Sequence, residues 1–280
     1  MQVITTCAEM SRLSWAAERP LGLVPTMGAL HEGHLSLVRQ ARTDSAAMAA
    51  SIFVNPTQFG PNEDFATYPR SLERDLELLQ AEGADLVFVP PPHEVYPDGF
   101  DTWVEPGSIA EGMEGAARPG HFRGVATVVA KLFTIIRPDR AYFGQKDGQQ
   151  VAVIRKMNAD LNLGVDVVTM PTIREPDGLA LSSRNAYLSA EERETAPAVY
   201  RALCAAEDIW RRGERDAGRI QRAAHNILSR EPLIDAVDYV STVDAETMQP
   251  LETVPDHRPV MIAIAVRLGP VRLIDNVVLG

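Results

Sequence analysis

Two histidines, His31 and His34, lie three residues apart in the segment VPTMGALHEGH, which follows an apolar run and opens a stretch of helical spacing. On a first helical turn both imidazoles can lie on one face. There they could donate hydrogen bonds to phosphate oxygens as charge grows in a transition state, and backbone N–H groups at a helix start also attract anions. The spacing therefore predicts a nucleotide site. A structural histidine pair or half of a metal site fits the same two residues.

Glycines beside these histidines support the nucleotide interpretation. Gly28 permits a tight turn before the helix, and Gly33 removes a side chain where a nucleotide would approach. A metal site needs further ligands, and the remaining histidines have no ligand pattern around them. Those histidines are His93, His121, His225 and His257.

Two more polar segments carry residues that suit phosphate and ribose. In FGQKD, Lys146 could reach a phosphate, and Asp147 could accept a hydrogen bond from a ribose hydroxyl. In DGLALSSRN, Ser182 and Ser183 stand beside the permanently charged Arg184, a combination that suits a mobile phosphate clamp. Either segment alone is also typical of a solvated loop. The three segments in this order favour a nucleotide site.

Strands and helices that must position these segments alternate over the first part of the chain. Strands are predicted over 21–25, 46–54, 85–89, 140–143 and 165–170, and helices over 71–81, 124–136 and 149–161. After the histidine motif, Leu35, Leu37, Val38 and Ala41 recur at near-helical spacing. Alternation of this kind predicts an α/β, doubly wound parallel sheet, with its ligand crevice at the carboxyl ends of the strands.

The pattern changes after about residue 171. Residues 190–230 predict two helices broken near Arg212 and Gly213, and strands are predicted over 236–243, 260–267 and 271–278. Leu268-Gly269-Pro270 separates the last two strands, which indicates an antiparallel hairpin. We therefore expect a Rossmann-like domain over 1–172 and a smaller α+β domain over 173–280.

Composition excludes several classes of protein. The chain has 280 residues, 45% hydrophobic and 23% charged, as in a folded globular protein. With 27 basic and 38 acidic residues the net charge is −11, which disfavours nucleic acid but not a small anionic ligand. The longest apolar stretch, 125–136, contains Lys131 and is shorter than the ~20 residues that span a bilayer. Cys7 and Cys204 form no metal pattern, so we expect reduced thiols. Because the apolar stretch is too short to span a bilayer, we expect a soluble, cytoplasmic protein with no membrane partner.

Six blocks of the sequence together resemble the pantothenate synthetases (pantoate–β-alanine ligases), a family within the HxGH-type nucleotidyltransferase superfamily. They keep the order of that family and extend over nearly the whole chain. The blocks are VPTMGALHEGH (24–34), SIFVNPTQFGPNEDFATYPR (51–70), RPGHFRGVATVVAKLF (118–133), FGQKDGQQ (143–150), IREPDGLALSSRN (173–185) and RLIDN (272–276).

The resemblance implies a reaction and its participants. Such enzymes use ATP and Mg²⁺ to condense (R)-pantoate with β-alanine through a pantoyl adenylate, releasing AMP and pyrophosphate. They are homodimers that associate through the first domain. The first domain, 1–172, would hold ATP and pantoate and carry the catalysis, and 173–280 would form a lid.

The resemblance also implies roles for individual residues. His31, His34, Lys146 and Arg184 would be catalytic, and the family describes the residue at His34 as a proton donor. Because the reaction needs little proton transfer, we expect both imidazoles to act mainly by stabilising charge on the pentavalent phosphorus. Gln58 and Gln150 would hold pantoate, and Gln58 would also touch β-alanine. The ATP-binding residues would be Met27, Gly28, Ala29, Leu30, His31, Glu32, Gly33, His34, Gly144, Gln145, Lys146, Asp147, Ile173, Leu181, Ser182, Ser183 and Arg184.

Other positions are less determined. The triphosphate would hold most of the magnesium coordination, and Asp75 matches an acidic position sometimes involved; a solvated helix face is the alternative for it. Gly148 departs from the aromatic residue or alanine expected there, which puts local rigidity in question. The resemblance assigns no individual roles to Arg118, His121 and Arg123.

Two other functions fit parts of the pattern. A related HxGH-type adenylyltransferase would move AMP onto a phosphate and would need extra cations for its acceptor, where this sequence offers neutral glutamines. A non-catalytic nucleotide-binding protein would lack some of the phosphate ligands, which are all present here.

Overall fold

The computed structural model describes residues 1–61 and 63–280; Asn62, within the second family block, lies outside the described residues. The chain forms two compact units. The first unit comprises Met1–Ser108, Arg118–Gly144 and Val153–Pro171, and the second comprises Ile109–Ala117, Gln145–Ala152 and Thr172–Gly280. Among the described residues no helix is long and apolar enough to cross a membrane.

Ten α-helices lie in the described part of the chain. They are α1 (Cys7–Ala16), α2 (Glu32–Asp44), α3 (Leu72–Ala81), α4 (Pro92–Val95), α5 (Glu114–Ala117), α6 (His121–Ile136), α7 (Gly148–Asp160), α8 (Ala190–Thr195), α9 (Ala198–Arg211) and α10 (Ala217–Leu228).

A six-stranded parallel sheet organises the first unit. Its strands are β1 (Gln2–Ile4), β2 (Leu21–Thr26), β3 (Ala47–Ile52), β4 (Leu86–Phe88), β5 (Arg140–Gly144) and β6 (Asp166–Met170). They are ordered β1-β4-β3-β2-β5-β6, and every neighbouring pair is parallel. The direction of winding reverses between β2 and β5, which is where a doubly wound sheet has its crevice. The predicted fold class is confirmed.

Helix α2 presents its predicted apolar face to this sheet. Leu35, Leu37, Val38 and Ala41 are all buried. Three of them, Leu37, Val38 and Ala41, share a core cluster with Val24 of β2. Burial of each Leu or Val side chain contributes about 1.5–3 kcal/mol, so this face fixes the start of α2 against the end of β2.

A three-stranded antiparallel sheet organises the second unit. Its strands are β7 (Ile234–Asp244), β8 (Val260–Leu268) and β9 (Val271–Leu279), in that order, and β8 and β9 form the predicted hairpin. The predicted break near Gly213 is present, but the preceding helical stretch is divided into α8 and α9. Pro197 stands at that division, because proline has no N–H to continue the hydrogen-bond ladder. The catalytic and lid roles of the two predicted domains stay predictions.

Candidate active site

Asp75 of α3 holds the loop that leads from β2 to α2. Gly28 and Ala29 both have positive φ, +84° and +51°, so the loop turns sharply. The Asp75 carboxylate is 1% exposed and accepts hydrogen bonds from the backbone N–H groups of Ala29 and Leu30, both at 2.8 Å. The solvated-face alternative for Asp75 is therefore wrong. Its two oxygens fix the loop in front of the histidines.

The two histidines cap the helix that they begin. His31 is the N-cap of α2, and its Nδ1 accepts a hydrogen bond from the N–H of Gly33 at 3.1 Å. The Nδ1 of His34 accepts from the N–H of His31 at 3.4 Å, and the ring centroids are 4.1 Å apart. A neutral imidazole whose Nδ1 accepts carries its proton on Nε2. The caps therefore assign the Nε2–H tautomer to both rings.

Several backbone N–H groups of this motif have acceptors within the protein. The N–H groups of Ala29 and Leu30 donate to Asp75, and those of His31, Gly33 and His34 donate to imidazole or carbonyl acceptors within the turn.

Gln58 lies beside this loop, at the end of the neighbouring strand β3. It closes the short 3-10 helix Pro56–Gln58. The Gln58 Oε1 accepts a hydrogen bond from Asn55 Nδ2 at 3.0 Å, and its Nε2 contacts Met27 Sδ at 3.4 Å. Asn55 is 1% exposed and also donates to the carbonyl of Gly124 at 3.2 Å. The structure therefore brings Gln58 and Met27 together, as predicted for two parts of one site.

Arg118 and His121 fix the backbone of Gln58. His121 Nδ1 lies 2.9 Å from the Gln58 carbonyl oxygen, and Arg118 Nη1 lies 3.1 Å from His121 Nε2. Arg118 also donates two hydrogen bonds to the Glu63 carboxylate, from Nε to Oε1 at 2.8 Å and from Nη2 to Oε2 at 2.7 Å. Burial alone would raise the pKa of Glu63, but the hydrogen bonds and charge of Arg118 lower it below its usual value. Arg118 and His121, to which the sequence assigns no role, thus position Gln58, which is predicted to bind substrate.

A glycine in α6 makes this arrangement possible. A Cβ at Gly124 would lie 2.4 Å from the carbonyl oxygen of Thr57, so only glycine lets the helix backbone approach the 3-10 helix. The Asn55-Pro56 dipeptide and this glycine are the only local signals of the contact that we find among the residues involved, and the sequence-based predictions make no use of them. By contrast, Arg123 lies over the Trp103 ring at 4.3 Å and pairs with Glu105, with no contact to Gln58 among those described.

The first unit also contains Glu32 and Gly144, two further residues predicted to bind ATP. Glu32 is exposed, and its carboxylate forms an ion pair with Arg39 on α2. Gly144 is the last residue of β5.

In the second unit, Gln145, Lys146 and Asp147 form a short 3-10 helix directly before α7. The side chain of Asn276 donates to the carbonyls of Gln145 and Lys146, at 2.8 and 3.0 Å, and accepts from Gln145 Nε2 at 2.8 Å. All three residues of the 3-10 helix are partly buried. The backbone that carries Lys146 is therefore fixed from β9.

The structure explains the glycine at position 148. A Cβ there would lie 2.6 Å from Met261 Sδ and 2.9 Å from Gln145 Nε2. The Met261 thioether and the Gln145 amide therefore occupy the space that a larger residue would need. The glycine at position 148 is therefore explained by the side chains that pack against it at the start of α7.

The two neighbouring glutamines of α7 have different surroundings. Gln149 is 5% exposed; its Nε2 donates to the carbonyls of Ile109 and Gly112, and its Oε1 accepts from the N–H of Glu114. Its amide is committed to holding the segment before α5. Gln150 is more exposed than Gln149.

The predicted phosphate clamp is an ordered hairpin in the second unit. Ile173 accepts a hydrogen bond from the N–H of Leu181 at 3.0 Å, and Gly178 turns the chain with a φ of +95°. Ser182 Oγ then accepts from the N–H of Arg184 at 3.3 Å and caps the 3-10 helix Ser183–Tyr187. Leu181, Ser182, Ser183 and Arg184 are all partly buried.

The described residues contain no cluster of side chains that could by itself coordinate Mg²⁺. No group of three His, Cys, Asp or Glu side chains among residues 1–61 and 63–280 could hold a metal ion. Both oxygens of Asp75 already accept backbone hydrogen bonds. Mg²⁺ usually reaches nucleotide sites on the phosphate oxygens, with one or two carboxylates at most.

Comparison with known proteins gives one consistent family. The family model for pantoate–β-alanine ligase matches residues 2–278. The pantothenate synthetase of Herpetosiphon aurantiacus is 54% identical over 281 residues, and that of a Roseiflexus species 56% identical over 279 residues; each match covers 100% of this chain and at least 99% of the relative.

Solved structures agree with the sequence matches. The crystal structure of pantothenate synthetase from Thermus thermophilus has a TM-score of 0.93 and 48% identity, and covers 99% of both chains. The ligase of Francisella tularensis, complexed with beta-gamma ATP and β-alanine, has a TM-score of 0.79 and 34% identity, covering 99% of this chain and 97% of that one.

Proposed function

Because the chain belongs to the pantoate–β-alanine ligase family, we propose that it joins (R)-pantoate to β-alanine and converts ATP to AMP and pyrophosphate. The observation that carries the site assignment is the reciprocal capping of His31 and His34 at the end of β2. It supports a pair of Nε2–H donors, each ring oriented by a hydrogen bond at its Nδ1, where the family has its nucleotide. The full-length match favours this reaction over another HxGH-type adenylyltransferase or a non-catalytic nucleotide-binding protein.

The first step activates the pantoate carboxylate. One carboxylate oxygen attacks the α-phosphorus of ATP, the bond from that phosphorus to the bridging oxygen breaks, and pyrophosphate leaves with both electrons. Negative charge grows on the α-phosphate oxygens, and preorganised donors stabilise it at little reorganisation cost. We assign this task to the Nε2–H groups of His31 and His34. Little proton transfer is needed, so orientation and charge carry the catalysis.

Two cations would complete the phosphate environment. Lys146 would neutralise charge on the phosphate chain as a point charge, and Arg184 would bind two oxygens with its planar guanidinium. The hydrogen bonds that hold the backbone of Lys146 and of Arg184 support these roles. Mg²⁺, when bound on the triphosphate, would supply further charge neutralisation.

Neutral amides would select pantoate. The Gln58 side chain offers a donor and an acceptor, so it can bind a hydroxyl and a carboxylate together, and we assign it contact with β-alanine as well. We assign Gln150 the second pantoate contact. The complete use of the Gln149 amide inside the second unit supports that choice.

The second step forms the amide. The neutral amine of β-alanine attacks the acyl carbon of pantoyl adenylate, the carbon–oxygen bond to AMP breaks, and the nitrogen releases one proton to water. AMP leaves far more readily than oxide would from a free carboxylate. We also propose a cytoplasmic homodimer that associates through the first unit, as the family resemblance implies; sedimentation should then give twice the 30.6 kDa of one chain.

Oxygen transfer tests this reaction. With pantoate labelled by ¹⁸O in its carboxylate, the adenylate route places one labelled oxygen in AMP for each amide formed. Unlabelled AMP would contradict the proposal. His34→Ala should lower the rate about 10²–10³-fold without changing the labelling, and an unchanged rate would remove the role assigned to His34.

A further inference from the structure

Strand β9 carries two adjacent buried polar residues, Asp275 and Asn276, each 4% exposed. They belong to the RLIDN block, which has no role in the reaction described above. Successive side chains of an extended strand point to opposite sides. The two residues therefore reach different segments of the second unit.

Asn276 reaches the segment that carries Lys146. Its amide makes three hydrogen bonds: Nδ2 donates to the carbonyls of Gln145 (2.8 Å) and Lys146 (3.0 Å), and Oδ1 accepts from Gln145 Nε2 (2.8 Å). Only a neutral amide has donors for the two carbonyls and an acceptor for the Gln145 amide at the same time.

Asp275 reaches the hairpin that leads to Arg184. Its carboxylate accepts from both terminal nitrogens of Arg174, at 2.5 and 3.0 Å, and Arg174 also donates to the carbonyl of Gly178 at 3.1 Å. The Arg174 guanidinium lies 3.9 Å over the ring of Tyr200, which packs against Gly178 so closely that a Cβ there would be 2.3 Å away. Burial raises the pKa of Asp275, and the charges of Arg174 and Lys146 act in the opposite direction.

We propose that Asp275 and Asn276 are positioning residues for adenylation: Asn276 sets the backbone of Lys146, and Asp275 sets the Arg184 hairpin through Arg174. The inference rests on the proposed function, because Lys146 and Arg184 matter only if they bind the phosphates. Neither β9 residue needs to touch a substrate. One short strand therefore links the two cationic segments of the second unit.

The alternative is that both residues only satisfy buried polar groups. A structural role would lower stability and spare the chemistry, as expected for Asp244, another buried acid of this unit. Asp244 is 6% exposed and accepts from the N–H groups of Glu246 and Thr247 in the turn after β7, with no contact to Lys146 or Arg184 among those described.

A double-mutant cycle separates the two possibilities. The single-turnover rate of pantoyl adenylate formation at saturating ATP would be measured for Asn276→Ala, Lys146→Ala and the double variant, with Asp244→Ala as the control for stability. We expect Asn276→Ala to lower this rate about 10- to 100-fold and to leave the KM for β-alanine unchanged. In the Lys146→Ala background the same substitution should cost less than about threefold, because its effect acts through Lys146.

The outcomes distinguish the inference from the proposed function. If Asn276→Ala lowers the rate by the same factor in the wild type and in Lys146→Ala, the positioning role is overturned and the proposed function is not. A wild-type rate for Asn276→Ala would have the same meaning. A wild-type rate for Lys146→Ala would overturn the proposed function of Lys146 and the positioning role with it. Asn276→Asp is the second variant if Asn276→Ala does not fold; its carboxylate would face the two carbonyls, and it should reproduce the rate loss. Asp275→Asn, measured with Arg184→Ala, tests the other half in the same way.

Discussion

His31 and His34 support each other at the start of α2: His34 Nδ1 accepts the backbone N–H of His31, while His31 Nδ1 caps the N–H of Gly33. The atom that stabilises the fold is therefore Nδ1, and the atom to which we assign the chemistry in each ring is Nε2. Because these two atoms differ, substitutions can remove one contribution and keep the other.

His31→Asn keeps the cap and removes the Nε2–H. Asparagine is a favoured N-cap whose Oδ1 can accept the Gly33 N–H, so the free energy of unfolding should stay within about 0.5 kcal/mol of wild type. The adenylation rate should fall about 10²–10³-fold, because the Nε2–H donor is missing. His31→Ala should show the same fall in adenylation rate and should also lower the free energy of unfolding by about 1 kcal/mol.

Thr6→Ala is the matched control for a lost cap. Thr6 caps α1 in the same unit and accepts the N–H of Glu9 at 3.3 Å. This variant should lose about 1 kcal/mol of stability and keep the wild-type rate. Wild-type adenylation by His31→Asn would contradict the role assigned to the imidazole.

Asp75→Asn separates a loop-positioning role from metal binding. The amide can accept from only one of the two N–H groups of Ala29 and Leu30, so one buried donor loses its partner at a cost of about 1–3 kcal/mol. We expect a lower melting temperature and a lower adenylation rate, with the Mg²⁺ concentration for half-maximal rate unchanged. A tenfold or larger increase in that concentration, about 1.4 kcal/mol of metal binding, would show that Asp75 holds the ion.

Glu63 gives the protein a defined response to acid. Its folded pKa lies below the ordinary value of 4.5 because Arg118 outweighs the effect of burial. The ion pair therefore contributes stability above about pH 5, and this contribution is lost as the pH falls through the folded pKa. In denaturant titrations, the wild type should exceed Glu63→Gln in unfolding free energy at pH 7, and the difference should shrink as the pH falls below 4.5.

Glu105→Gln is the control for this measurement. Glu105 is 71% exposed in its ion pair with Arg123, so its substitution should change stability little at any of these pH values. A difference for Glu63→Gln that stayed constant from pH 7 into the acid range would show that the carboxylate charge contributes nothing.

Gly148→Ala tests the packing around the Lys146 segment. Alanine favours a helix by about 1 kcal/mol over glycine in a helix interior, but its Cβ would overlap Met261 Sδ and Gln145 Nε2. Overpacking costs about 1–3 kcal/mol, so the variant should be less stable than wild type. Combined with Met261→Ala, the loss should be smaller than the sum of the two single losses. Additive losses would show that the two side chains do not compete for the space.

Local signals in the sequence predict much of this fold. The spacing of Leu35, Leu37, Val38 and Ala41 predicts the buried face of α2, and Leu268-Gly269-Pro270 predicts the hairpin of β8 and β9. The same approach misses β1, which has three residues, and α1, in which only Met10 and Ser14 are buried. Strand β1 is too short for a periodic pattern, and α1 buries too few residues to show one.

Long-range contacts explain what the sequence does not predict at the site. Asp75 meets Ala29 across 46 positions, and Asn276 meets Gln145 across 131. Their side-chain types alone fit a surface acid and an ordinary strand amide. Only the fold shows that these residues fix the two segments to which we assign the chemistry.

The most direct test of the account is ATP–pyrophosphate exchange with Mg²⁺ and (R)-pantoate, β-alanine being omitted. The account predicts exchange of labelled pyrophosphate into ATP that requires pantoate and falls about 10²–10³-fold in His34→Ala. Absence of pantoate-dependent exchange, in protein that binds ATP, would contradict the acyl-adenylate step and with it the roles of Gln58 and Gln150.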